Sequence, residues 1–195
     1  MKPSLITGLL MCSFIAVAAC PKDAAYPDLY FPELTIETSL GNVVIELDPN
    51  RAPLTVNHFL HHVKRKAYDN NLIHRVVPGY VVQSGAFKSD LSDVYSCGKV
   101  FNESGNGLSN RRGTIAMARY DDPHSGGSSF YINIGDNTNL DPNPKSWGYA
   151  VFGYVISGMD VIDQMAGLKT GFNAELDAQD VPVEPIIIKT VRLNQ

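Results

Sequence analysis

At 195 residues the chain is long enough for one domain with a sizeable core. Its formal net charge of −4 argues against a nucleic-acid partner, which would favour a basic surface. Three cysteines, at positions 12, 20 and 97, are too few for a disulfide scaffold.

Lys2 precedes an apolar stretch from Leu5 to Ala19, too short for a membrane span and suited to a secretory signal over 1–19. Val17-Ala18-Ala19-Cys20 resembles a bacterial lipobox, which makes Cys20 a candidate lipid-attachment site and gives the protein a membrane tether. Ala16-Val17-Ala18 also fits ordinary signal cleavage, and in that case Cys20 is available to pair with Cys97. Either route predicts an exported protein of the periplasm or cell envelope. Removal of 1–19 takes away Lys2 alone among charged residues, moving the net charge from −4 to −5. Residues 20–32, rich in Ala, Asp, Tyr and Pro, read as a spacer ahead of one domain over 33–195.

Within that domain, β-prone runs at 34–39 and 43–48 flank Leu40-Gly41-Asn42, a hairpin signal. From about 53 to 67, Val56, Phe59, Leu60 and Val63 recur at helical spacing, with Pro53 suited to a first turn. Further strands are predicted at 72–77, 80–85, 113–118, 129–134, 150–155 and 185–193. A second helix is predicted over Met159–Ala166, where Met159, Ile162 and Met165 form an apolar face. The segments 86–112 and 135–147, which contain Gly, Asn, Asp and Pro, read as irregular loops. The pattern is mainly β and leaves open whether the sheet closes on itself.

The richest stretch is His74-Arg75-Val76-Val77-Pro78-Gly79-Tyr80-Val81-Val82-Gln83-Ser84-Gly85. Proline presets φ and glycine accepts positive φ, so Pro78-Gly79 between two apolar runs predicts a tight hairpin. Alternation along its second arm places Val81 and Gln83 on one face, with Arg75 and Tyr80 able to converge there. A cation beside apolar and aromatic surface suits an uncharged, carbonyl-rich ligand such as a peptide.

This stretch resembles the cyclophilin signature FHRxxPGFxxQGG. The resemblance continues through Gly113–Arg119, Ser128–Asn133, Leu140-Asp141 and Gly148–Gly153, in family order over about 33–193. It implies a peptidyl-prolyl cis-trans isomerase on a closed eight-stranded antiparallel β-barrel with two capping α-helices. The expected partners are proline-containing polypeptides, the expected state is a monomer, and no cofactor or metal is expected. By the same resemblance Arg75 and Gln83 are the catalytic pair. Tyr80, Val81, Tyr131 and Leu140 build a proline pocket with Tyr149 at its rim, and Ala118, Arg119 and Ser129 line the adjoining groove. Asn139 stands where an aromatic residue is common, and the resemblance implies weak cyclosporin binding from that change. Tyrosine at 80 and 131, where phenylalanine is usual, together with Val81, predicts a smaller and more polar pocket.

Competing chemistry is weaker. His58 and His62, at i,i+4 on the first helix, could sit side by side on a metal, but no Asp, Glu or Cys near them in sequence completes a shell, and His58, His61 and His62 read as a solvated face. Ser125, Ser128 and Ser129 lack the Gly-x-Ser-x-Gly elbow of a serine hydrolase. The alternative function is a proline-peptide binding module or chaperone on the same fold, with little catalysis.

Overall fold

The computed structural model describes residues 21, 23–26 and 28–194; the signal segment 1–19 and the candidate lipid site Cys20 lie outside the described residues. In chain order the elements are β1 (Glu33–Thr38), β2 (Asn42–Leu47), α1 (Pro53–Lys64), β3 (Asn71–Leu72), β4 (Arg75–Val77), β5 (Val81–Ser84), β6 (Thr114–Met117), β7 (Phe130–Asn133), β8 (Val151–Ser157), α2 (Met159–Ala166), β9 (Thr170–Asn173), β10 (Ala178–Pro182) and β11 (Ile187–Leu193). A single 3₁₀ turn occupies Thr138–Leu140.

The main sheet is antiparallel and curls into a half-barrel in the order β3-β11-β1-β2-β8-β6-β7-β5-β4; β9 and β10 form a separate two-stranded ribbon. The expected eight strands become nine because the run at 72–77 divides. Ile73 donates its amide to Ile186 O on the β11 side, whereas His74 donates to Gln83 O in β5. The two ends of the sheet are thus successive strands of one segment.

Alternation sorts the side chains of β5, β6 and β7 onto two faces. Val82, Ile115 and Ile132 enter the main core, and Val81, Ala116 and Tyr131 form a smaller apolar cluster with Val151. The main core is organised by aromatic rings, with Phe59 of α1 at 5.0 Å from Tyr68, 5.4 Å from Phe130 and 5.2 Å from Phe152 between centroids. Tyr68 is fully buried and donates its hydroxyl to Ser128 O at 3.0 Å, and burial pushes its pKa up.

Helix α1 begins with Pro53 but has no side-chain cap of its own and no acidic residue in its first turn. Glu103, from the long loop, accepts from the amides of Leu54 (3.1 Å) and Thr55 (2.8 Å) and so satisfies the exposed end of the helix. The face carrying His58, His61 and His62 is buried, contrary to its reading as solvated. His58 Nε2 meets Gly127 O at 2.8 Å, His62 Nδ1 meets His58 O at 2.8 Å, and His61 Nε2 meets Asp23 O at 2.9 Å. Part of the expected spacer covers this face: Ala25 donates its amide to Asn57 Oδ1 at 2.7 Å, and Lys64 reaches back to Ala25 O at 3.3 Å. Among the described residues no helix is long and apolar enough to cross a membrane.

Candidate active site

The site lies on the face of the sheet opposite the main core. Pro78 and Gly79 fold back β4 on β5, with Tyr80 N bonding Val77 O at 2.9 Å and Gly79 at φ +72°. That is the positive φ required of the third residue in such a turn, and glycine meets it without a Cβ clash. The register pairs Arg75 with Gln83, and Gln83 with Tyr131 on β7. Three strands therefore deliver a guanidinium, an amide and a phenol side by side.

Arg75, Tyr80, Val81, Gln83, Ala118, Arg119, Tyr131, Leu140 and Tyr149 line one cavity of about 190 Å³. Arg75 Nη1 donates to Gln83 Oε1 at 3.4 Å, and Gln83 Nε2 in turn donates to Ser129 Oγ at 3.3 Å. Ser129 does not line this cavity; its hydroxyl donates to Ser84 O at 3.0 Å, so it steadies Gln83 from beside a larger neighbouring groove. Asn139 is exposed on the 3₁₀ turn and is also absent from the cavity wall.

The opposite wall is held by Arg119. Its guanidinium lies 4.5 Å from the centroid of the Tyr149 ring and donates to Gly148 O (3.2 Å), Trp147 O (2.7 Å) and Tyr120 O (2.8 Å). The Trp147 ring is not part of this cavity's lining and lies 5.1 Å from the ring of His124, which also meets the Phe101 ring at 4.9 Å.

Behind Tyr131 runs a buried set of amides that the sequence reading missed. Tyr131 donates its hydroxyl to Asn110 Oδ1 at 2.8 Å, and Asn133 Nδ2 donates to that oxygen at 3.2 Å and to Thr114 Oγ1 at 2.8 Å. Asn137 Nδ2 bonds Asn133 Oδ1 at 2.7 Å and Tyr80 O at 2.8 Å. Asn110 also donates to Asp141 Oδ1 at 2.9 Å, and Ser109 bonds the other carboxylate oxygen. Burial raises the Asp141 pKa, but these hydrogen bonds outweigh it and hold the carboxyl below its ordinary range. Burial pushes the Tyr131 phenol up, with Tyr149 and Tyr80 adding to it, so the group stays neutral and donates. An asparagine inside the apolar strand Phe130–Asn133 was the one signal in sequence for this network.

The competing chemistry fares less well. Ser125 Oγ donates to Asp122 O at 2.6 Å, which leaves it serving the backbone. The fold does bring Cys97 to His58 and His62, with ligand-type atoms within 4.8 Å of one another, a neighbour that sequence distance concealed. Cys97 is disulfide-bonded and so presents no thiolate to a cation.

Residues 33–193 match the model of the family described as cyclophilin type peptidyl-prolyl cis-trans isomerases. The chain belongs to this family. This cyclophilin is 42% identical over 161 residues to peptidyl-prolyl cis-trans isomerase cyp18 of Streptomyces antibioticus, covering 81% of this chain and 96% of the relative. It is 39% identical over 165 residues to peptidyl-prolyl cis-trans isomerase B of Escherichia coli K12, covering 83% and 99% of the two chains. Among solved structures, a cyclophilin type isomerase of Cryptosporidium parvum superposes with TM-score 0.71 at 24% identity, over 85% of this chain and 99% of that one, a likeness of fold. A structure of the same protein in the presence of the dipeptide Ala-Pro gives TM-score 0.70 at 23% identity, over 84% and 99%. The cyclophilin described here is a peptidyl-prolyl cis-trans isomerase.

Proposed function

We propose that this isomerase acts on X-Pro bonds of exported polypeptides, with Arg75 as the group that lowers the rotational barrier. A peptide bond resists rotation by about 18–20 kcal/mol because nitrogen shares its lone pair with the carbonyl. A guanidinium donating toward the prolyl nitrogen draws that pair out of resonance and favours the twisted state, with no covalent intermediate. Arg75 suits this role because it stays charged and offers several donors in a fixed fork. The observation that carries the reading is that Arg75 and Gln83 line the same cavity of about 190 Å³ as Tyr80, Val81, Tyr131 and Leu140, so a cation and an amide face the side chains that would hold a proline ring. Gln83 orients the guanidinium and offers its amide to substrate backbone. The Ala-Pro dipeptide used with the Cryptosporidium relative fits the same substrate class.

Two observations support export: the apolar N-terminal stretch after Lys2, and the disulfide at Cys97, a bond that persists in oxidising compartments. Lipidation at Cys20 would consume its sulfur as a thioether. Intact mass of the mature protein separates lipidation at Cys20 from ordinary signal cleavage, which leaves that sulfur available for a disulfide. The isomerase reading is tested by a protease-coupled assay on an X-Pro peptide with Arg75→Ala as control. The expected result is a loss of about 100-fold or more in kcat/KM with an unchanged far-UV spectrum. Equal rates in parent and variant would remove Arg75 from the mechanism.

A further inference from the structure

The ribbon of β9 and β10 carries a residue that nothing in the family match brings forward. Its register places Ala178 opposite Asn173 and Val181 opposite Gly171, so Gln179 and Asp180 together face the single residue Phe172. This is a bulge, and Asp180 sits in it at φ +61°, a left-handed conformation that aspartate tolerates better than most side chains. Strand β10 packs against β4, the strand that bears Arg75. The bulge brings Asp180 Oδ2 to 3.8 Å from Arg75 Nε. Asp180 does not itself line the cavity.

We propose that Asp180 is a positioning residue for Arg75, a reading that rests on Arg75 acting at the prolyl nitrogen. Arginine is a planar fork on a flexible stem, so a single contact leaves the fork free to swing. Here Gln83 Oε1 takes Nη1 at 3.4 Å and the Asp180 carboxylate faces Nε. The fork is thus held from two sides by protein, and this fixes the direction in which it meets substrate. A bulge re-aims a side chain at the cost of local strain, and the left-handed backbone of a non-glycine residue in a short ribbon is the kind of strain that collects at functional sites. Half-exposed ion pairs add little to stability, so an orienting role is the larger consequence of this one.

The test compares Asp180→Asn, Asp180→Glu and Asp180→Gly with Arg75→Ala, alone and combined, in the X-Pro assay. Asparagine keeps the shape and tolerates the left-handed backbone while removing the charge. The expected result is a three- to tenfold loss that falls on kcat with KM little changed, with an unfolding midpoint equal to the parent's. Asp180→Glu should regain part of the loss. Asp180→Gly, which relieves the backbone conformation, should show the same loss of kcat with an equal or higher midpoint. In the Arg75→Ala background, Asp180→Asn should change the residual rate no further, because the group it orients is gone. Full activity in Asp180→Asn beside an inactive Arg75→Ala would overturn this inference alone. An equal fractional loss in both backgrounds would overturn it as well. Full activity in both single variants would overturn the reading of Arg75 together with it.

Discussion

The Tyr131 hydroxyl donates a 2.8 Å hydrogen bond to Asn110 Oδ1, an oxygen that also accepts from Asn133 at 3.2 Å. The extra oxygen that tyrosine brings to this pocket position is therefore turned into the protein's own amide network. The wall it presents to the cavity is the ring, which meets Tyr149 edge-on at 5.9 Å between centroids.

Tyr131→Phe should consequently cost only about 1 kcal/mol, since Asn110 Oδ1 keeps its second donor, and should leave X-Pro turnover near the parental rate. Asn110→Ala should cost more, about 2–3 kcal/mol, because it strands the Tyr131 hydroxyl in a dry site and removes a donor from Asp141. Urea unfolding of the two variants measures the difference. A large rate loss in Tyr131→Phe at unchanged stability would mean that the hydroxyl acts on substrate instead.

Acid should weaken the fold before it titrates the carboxylates. Burial lowers the pKa of His58 to about 4, with charge on neighbouring His62 adding to it; burial likewise lowers His74 to about 4, and His62 shifts the same way. The imidazoles of His58 and His74 are neutral in the fold down to about pH 4 but take up protons below about 6.5 when unfolded. The unfolded state thus binds more protons between about pH 6.5 and 4, and stability falls with falling pH through that window by about 1.4 kcal/mol per unit for each such histidine. Urea midpoints at pH 7 and pH 5 read the slope. His58→Gln, which keeps a donor for Gly127 O, should flatten it.

Gly148 allows the two sides of the pocket loop to meet. A Cβ there would fall 2.4 Å from Pro142 N and 2.6 Å from Leu140 O, both backbone atoms that cannot rotate away. Gly148→Ala should push Leu140 from Tyr149 and strain the 2.9 Å bond from Tyr149 N to Leu140 O. We expect a stability loss of about 1–3 kcal/mol and a drop in kcat/KM of at least about tenfold, larger than a change confined to stability would give in a folded sample. Circular dichroism and the X-Pro assay on the same preparation distinguish them.

Asn139 is exposed beside Leu140 and offers no ring to a ligand. Cyclosporin should bind this cyclophilin weakly, and Asn139→Trp should tighten inhibition about ten- to hundredfold, or about 1–3 kcal/mol, by adding an indole contact and donor. The parent's only tryptophan, Trp147, faces His124, so its emission should change little on titration. Tight inhibition of the parent with a large emission change would show Trp147 moving into that role.

How much of this was legible in the sequence depends on the physics behind each feature. The helix over Met159–Ala166 and the long β-runs were readable because one buried face imposes a period on the chain. The turn at Pro78-Gly79 was readable because backbone geometry restricts the residues that can make it. The ribbon of β9 and β10 was not, since Ala178–Pro182 carries a bulge and a proline and shows no alternation to detect. The histidine face of α1 was misread for a different reason. Its cover comes from Asp23, Ala25 and Gly127, and a helix's own sequence does not report what distant loops lay over it. The network of Asn110, Asn133 and Asn137 escaped in the same way, assembled from two stretches of chain more than 20 residues apart.

The sheet order also constrains how such a chain comes into being. Strand β1 is paired on one side by β2, which follows it at once, and on the other by β11, the last strand in the described chain. Strand β3, just ahead of the hairpin that carries Arg75, likewise pairs with β11. During synthesis, the early strands must wait with an open edge until residues 187–193 emerge. This isomerase is thus itself unable to finish its main sheet until β11 is delivered.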